Sequence, residues 1–373
     1  MPEVNQEGDA LRVRFDQEEV IISFDRWRDT RSGTTAEVVA TCTVPGFSPH
    51  IHQANLNLLS TTGRQVFAKR CRERWPHPED WQDLIERACA LALDRRRAGE
   101  PVAWSDELPA EPHLPDRVEG FMPEDGVTVL YGDGGTGKST VAQYLATCVS
   151  WGQPFFGRKT VRGLPLYLDM EATQRRFLWR LRRMAMGMAW AGLPRIGYTR
   201  QTTPLAEIGP ELRRLCDRAG AEVVILDSLG YAGGASNEQD FVLAAFRILQ
   251  GLARPVLAVA HVPKDNGDRP FGSAFVWNSA RSAVQVRKSA EAGESEIVVA
   301  LHHRKANDER LGHPIGIRIA FGDDGTVLKP QDLAEIPEHA KDLSIVARVK
   351  AELRRGEASQ DNLAEALDIR KDS

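Results

Sequence analysis

The stretch that most limits what this chain can fold into is VTVLYGDGGTGKST, a buried-strand pattern running straight into GxxxxGK[ST] from Gly132 to Ser139. Such a loop needs a strand before it and a helix after it, because it turns backbone N–H groups inward around phosphate oxygens. Gly132, Gly134, Gly135 and Gly137 give the backbone that freedom, and Asp133 and Thr136 complete the loop. The helix predicted from Lys138 directs its positive end at the same point. Lys138 is therefore expected to reach the β and γ phosphates, Ser139 to offer its hydroxyl to Mg²⁺, and Thr140 to lie near the α-phosphate. The ligands this motif predicts are ATP and Mg²⁺.

Downstream, near-continuous apolar runs alternate with helical spacing: PLYLDME, a helix from Thr173, EVVILD, a helix from Gln239, then PVLAVAH. Strands this apolar are covered on both faces, which predicts a parallel sheet in an α/β domain. AVQVR, EIVVALHH and GIRIAF are shorter and turn-linked, and are expected to extend that sheet as antiparallel strands. Three strand ends carry candidate chemistry. Asp227 closes EVVILD, where a carboxylate can hold the magnesium hydration shell beside Ser139. Past PLYLD stand two acids, Asp169 and Glu171, either of which could orient or deprotonate an attacking water. Glu171 equally suits a helix-start acid that favours the macrodipole, and the residues alone leave that choice open. His261 ends PVLAVAH, either as an exposed strand-end residue or as a sensor of the γ-phosphate, with a polar loop behind it that can change shape.

The rest of the 373 residues implies more than one domain. Short alternating runs between Leu11 and Val44 read as two or three strands, followed by helical spacing over Ala54 to Arg70 and Pro78 to Arg97. The expected organisation is a small α+β domain over 1–108, a Pro- and Glu-rich linker over 109–123, an ATPase domain over 124–332 and a helical tail over 340–373. That tail fits either a partial winged helix or a two-helix appendage. A net charge of −4 confines any nucleic-acid contact to local basic patches. The five scattered cysteines form no CxxC, which argues against a zinc site or a disulfide framework and fits a reducing cytoplasm. Trp27, Trp75 and Trp81 read as core or interface residues rather than base-stacking platforms, and His50 and His52 lack the neighbours a metal site needs. No stretch approaches the roughly 18 apolar residues of a membrane span.

Four elements in this order, the phosphate loop, PLYLDME, EVVILD and PVLAVAH, resemble the RecA-like branch of P-loop ATPases over about Leu114 to Phe321. Within it, LPDRVEGFMPEDGVTVLYGDGGTGKST is similar to RepA- and DnaB-type hexameric helicases (AAA_25-like). The resemblance implies a RecA-like core preceded by the small α+β domain, with Glu171 ahead of Asp169 as the catalytic acid and His261 as the γ-phosphate sensor. It further implies a DNA-facing loop with Lys264, Arg269, Gly272 and Ser273, and a finger reaching the neighbouring subunit's ATP from Arg304 or Lys305. FGSAFVWNSARSAVQV shares the RepA-type pattern in which an arginine, here Arg281, follows a Gly-Ser-rich loop. RKAND departs from the DnaB-type pattern at the finger, and residues 1–108 resemble no named module. The implied function is a ring-forming, sixfold motor on single-stranded DNA, a replicative or plasmid-type helicase. Two alternatives stand beside it: a filament-forming recombinase or mediator, and a regulatory or defence ATPase acting on a protein.

Overall fold

Leu11, Val13 and Phe15 alternate with exposed arginines and turn to one side, the period-two pattern of a half-covered sheet. The computed structural model describes the chain apart from residues 1, 8–9, 32, 47–48, 79, 100–101, 108–114, 231–237, 263–272, 290–294, 309, 341–342, 344, 356–358, 360–361 and 364–373. It divides into two units, Met1–Glu111 and Pro112–Ser373.

In the first unit, β1 (Glu3–Glu7), β2 (Ala10–Phe15), β3 (Val20–Thr30), β4 (Gly33–Cys42) and β5 (His50–Asn57) form one antiparallel sheet in chain order. Two helices follow, α1 (Thr61–Arg74) and α2 (Trp81–Ala98), started by Ser60 and Asp80, whose side chains accept from Gly63 N and Asp83 N. Phe67, Trp81, Ile85 and Ala92 from these helices join Phe15, Ile22, Phe24 and Val38 of the sheet in one core. Trp81 Nε1 donates to Trp75 O at 2.7 Å, and Trp27 stacks on Phe24 with the Arg96 guanidinium over its ring. The expected helix from Ala54 is corrected: HIHQANLN is an edge strand, and the helix waits for the Ser60 cap. Five strands replace the expected two or three, because polar β1 and the β5 run carry too few apolar residues to show their period.

The second unit opens with a two-strand ladder, β6 (Asp116–Val118) and β7 (Met122–Pro123), and continues through β8 (Val127–Gly132), α3 (Lys138–Trp151), β9 (Pro165–Asp169) and α4 (Gln174–Gly187). Next come β10 (Gly197–Arg200), α5 (Leu205–Ala219), β11 (Val223–Asp227), α6 (Glu238–Gly251), β12 (Val256–His261) and α7 (Ser273–Ser279). Then follow β13 (Ser282–Lys288), β14 (Glu296–Ala306), β15 (Ile315–Gly322), β16 (Gly325–Pro330), α8 (Pro337–Ala340) and α9 (Ile345–Arg355). The strands make one nine-stranded sheet in the order β10-β9-β11-β12-β8-β13-β14-β15-β16. Its first six strands run parallel and the last three antiparallel. AVQVR is therefore corrected: β13 pairs parallel with β8, and the antiparallel extension begins only at β14. Apolar layers cover both faces, one built on Leu212 and Phe246, the other on Leu145 and Phe177. In the tail, α9 covers the first expected helix, and most of the second lies outside the described residues.

All five cysteines are buried and unpaired. Burial pushes the thiols of Cys71, Cys89 and Cys148 up to about 12 and that of Cys216 up as well. A thiol-titrating disulfide reagent is thus expected to find no fast-reacting group in the native protein and all five in denaturant. Rapid native labelling of any cysteine would contradict this packing.

Candidate functional site

Parallel strands end together, so the loops that follow them share one edge of the sheet. The register sets Gly132 opposite His261 and Asp169 opposite Asp227 along that edge. Among them opens a cleft of about 300 Å³, walled in part by Lys138, Ser139, Glu171, Arg180, Asp227 and His261, with Gly135, Thr136, Gly137 and Thr140 on the loop side.

The loop is folded around its own lysine. Lys138 is buried, and its ammonium donates to Gly132 O at 2.8 Å and to Asp133 O at 2.6 Å. Thr136 Oγ1 donates to Asp133 O at 2.8 Å. Desolvation holds the Lys138 pKa below its ordinary value, while Asp227, Asp133 and Glu171 act in the opposite direction. Gly137, just before α3, sits at φ +79°, and a Cβ there would stand 3.1 Å from Ile297 Cδ1 and Ile319 Cδ1. The positive φ favours glycine at that position, and the space for a side chain is tight as well.

Asp227 is buried at the end of β11, and the phenol of Tyr167 on neighbouring β9 donates to its Oδ2 at 2.6 Å. Burial, then the Asp227 charge, holds the Tyr167 pKa well above its usual value, so the phenol stays a donor. Tyr167 was absent from the sequence-based candidates. Its signal was a tyrosine inside an otherwise aliphatic strand, whose hydroxyl must find a partner once buried.

Asp169 and Glu171 separate cleanly. Asp169 is fully buried, and its Oδ1 accepts from Glu171 N at 3.0 Å and Ala172 N at 2.6 Å, shaping the turn into α4. Glu171 leaves its carboxylate on the cleft wall, 45% exposed, with Oε2 3.8 Å from His261 Nε2. Sequence reasoning also missed Arg180, whose Nη1 is buried in the same wall without a hydrogen-bond partner among the described residues. Its position three residues after buried Phe177 and four before buried Met184 places it on the inner edge of α4, the available signal.

The remaining candidates lie elsewhere. Arg304 Nε donates to Gln285 Oε1 at 3.0 Å. Lys305 Nζ donates to the carbonyls of Trp277, Ala280 and Asn278 around the end of α7. Arg281 pairs with Asp308 at 3.4 Å. Lys264, Arg269 and Gly272 fall outside the described residues, and Ser273 is the first residue of α7. Among the described residues no group of three or more His, Cys, Asp and Glu side chains is placed to hold a metal. A hydroxyl and a carboxylate, Ser139 and Asp227, do share the cleft wall, and two hard oxygens suit Mg²⁺, which keeps most of its waters.

A family model described as an AAA domain matches residues 94–267, just under half of the chain. The second unit has a RecA-like P-loop ATPase core. Among 286 matching chains of solved structures is a KaiC-like protein from Pyrococcus horikoshii, 18% identical, covering 57% of this chain and 94% of its own, with a TM-score of 0.41. Another is the flagellar accessory protein FlaH from Methanocaldococcus jannaschii, 14% identical, covering 56% and 91%, with a TM-score of 0.38. No curated protein matches the chain. Among the described residues of the ATPase core and the unit before it, no helix is long and apolar enough to cross a membrane.

Proposed function

We propose that this cleft binds and hydrolyses Mg-ATP, and that the chain couples hydrolysis to movement along single-stranded DNA as a homo-hexameric ring of the RepA or DnaB type. The carrying observation is the convergence of buried Lys138 and Asp227 and half-buried Ser139 with the solvent-facing Glu171 and His261 on one cleft. In this reading Lys138 exchanges the carbonyls of Gly132 and Asp133 for the β and γ phosphates, and the N–H groups of 133–140 surround them. Ser139 and Asp227 hold Mg²⁺, whose charge offsets that of the phosphate oxygens, while Tyr167 fixes the Asp227 carboxylate. Glu171 takes a proton from the attacking water, and His261 beside it senses the γ-phosphate. Arg304 or Lys305 reaches a neighbour's nucleotide, and Lys264, Arg269, Gly272 and Ser273 supply the DNA-facing loop. The DNA half rests on the resemblance of the stretch from Leu114 to Phe321.

The deciding measurement is the ATPase rate with and without single-stranded DNA over a salt series, with Lys138→Ala as the blank. Stimulation that fades steeply with salt is expected, because phosphate contacts release counterions. A rate indifferent to DNA would move the function to a regulatory or defence ATPase with a protein partner, and long filaments in place of rings would move it to a recombinase or mediator.

A further inference from the structure

Helix α4, QRRFLWRLRRMAMG, carries five arginines and no acid in a chain whose net charge is −4. Its inner side is spent on packing, with Phe177, Leu181 and Met184 buried in the core. Its outer side keeps Arg175, Arg176, Trp179 and Arg182 exposed, and Trp179 is 60% accessible. A charged helix face is ordinarily just solvated, and three observations set this one apart.

First, the charge is not neutralised. Elsewhere arginines find carboxylates, as in Arg87 with Asp83, Arg254 with Asp217 and Arg318 with Glu296. Among the described residues none of the five α4 arginines forms an ion pair. Second, the tryptophan is held in place. Arg183 donates to the carbonyls of Asp323 (2.8 Å) and Gly322, and from that anchorage its guanidinium lies 5.9 Å from the Trp179 ring centroid. Third, Thr173, Arg175, Arg176, Trp179 and Arg180 line an open cleft of about 440 Å³. That is room for a base and its phosphates, within the usual size of a ligand site.

Flat aromatic surface flanked by unpaired guanidinium groups is the chemistry that takes single strands: bases stack on the ring and phosphates meet the arginines. We propose that the outer face of α4 binds single-stranded DNA, with Trp179 stacking a base and Arg175 and Arg176 taking adjoining phosphates. This deepens the DNA half of the function proposed above and rests on it, but assigns a contact to described residues other than 264–273. None of the three side chains takes part in the hydrolytic machinery.

The test is the affinity of the full-length protein for a dT20 oligonucleotide by fluorescence anisotropy, over a salt series with a non-hydrolysable ATP analogue present. Trp179→Ala is expected to weaken binding about 5- to 150-fold with little change in salt slope, and Trp179→Phe to restore most of it. Arg175→Ala with Arg176→Ala should flatten the slope of log K against log salt by about 1.4, roughly 0.7 per lost phosphate contact. DNA-independent ATPase activity and melting temperature should stay at wild-type values in every variant, which separates lost contact from lost fold. Wild-type binding that all α4 variants retain would overturn the α4 assignment alone. Absence of wild-type binding would overturn it together with the DNA motor. Competition by polyglutamate as effective as by dT20 would reassign the face to an acidic polypeptide and also overturn it.

Discussion

Replacing Glu171 with glutamine is expected to lower kcat for ATP hydrolysis by about 10²- to 10⁴-fold while leaving ATP affinity within a few-fold of wild type. The amide matches the carboxylate in shape but cannot accept a proton from water. The turn is held by the Glu171 backbone N–H on Asp169 Oδ1, and the side chain itself faces the cleft with His261 Nε2 3.8 Å away. Single-turnover hydrolysis alongside equilibrium nucleotide binding separates the two quantities. If kcat falls less than about tenfold, Glu171 is not the base. The same change at Asp169 should behave differently, because that carboxylate is buried and accepts two backbone hydrogen bonds. Asp169→Asn should lower the melting temperature, an effect Glu171→Gln lacks.

Gly132→Ala is expected to destabilise the second unit. Gly132 ends β8 beside β13, and a Cβ built on it would run into the backbone carbonyl of Val286, which cannot swing away as a side chain would. Overpacking against backbone costs about 3 kcal/mol or more, since strand β13 itself must shift. At 2–4 °C per kcal/mol that is a fall of roughly 6–12 °C in the melting temperature of this unit. ATP affinity should fall with it, because Gly132 opens the phosphate loop and a shift of its backbone displaces the N–H groups that follow. Calorimetry showing a shift under about 2 °C would mean the sheet edge yields more easily than its geometry implies.

Much of the ATPase core was legible because its signals are local and rigid. The phosphate loop announces itself through glycines and an adjoining lysine, and the strands of a doubly covered sheet read as unbroken apolar runs. What was missed had its signal diluted. GYTR is a short edge strand, and the helix after it, LAEIGPELRRLCDRA, carries Gly209 and Pro210 inside its period, where they read as breakers. The direction of β13 was misread because direction depends on which strand becomes its neighbour, a long-range choice that no local pattern encodes. The candidate site divides the same way. Glycines and a strand-end acid could be named from spacing, whereas the difference between Asp169 and Glu171 is one of burial, and the Tyr167 and Arg180 contributions arise only when separate elements meet.

Arg180 forms part of the wall of both the cleft at the phosphate loop and the cleft along the outer side of α4. A shared wall makes the two occupancies linked quantities. Whatever factor by which an occupant of one cleft tightens or loosens binding at the other, thermodynamics requires the same factor in return. For the two proposed ligands, measuring either affinity in the presence and absence of the other would give one coupling free energy twice, and its sign would say whether a bound strand is gripped in the ATP-bound state or after the phosphate has left.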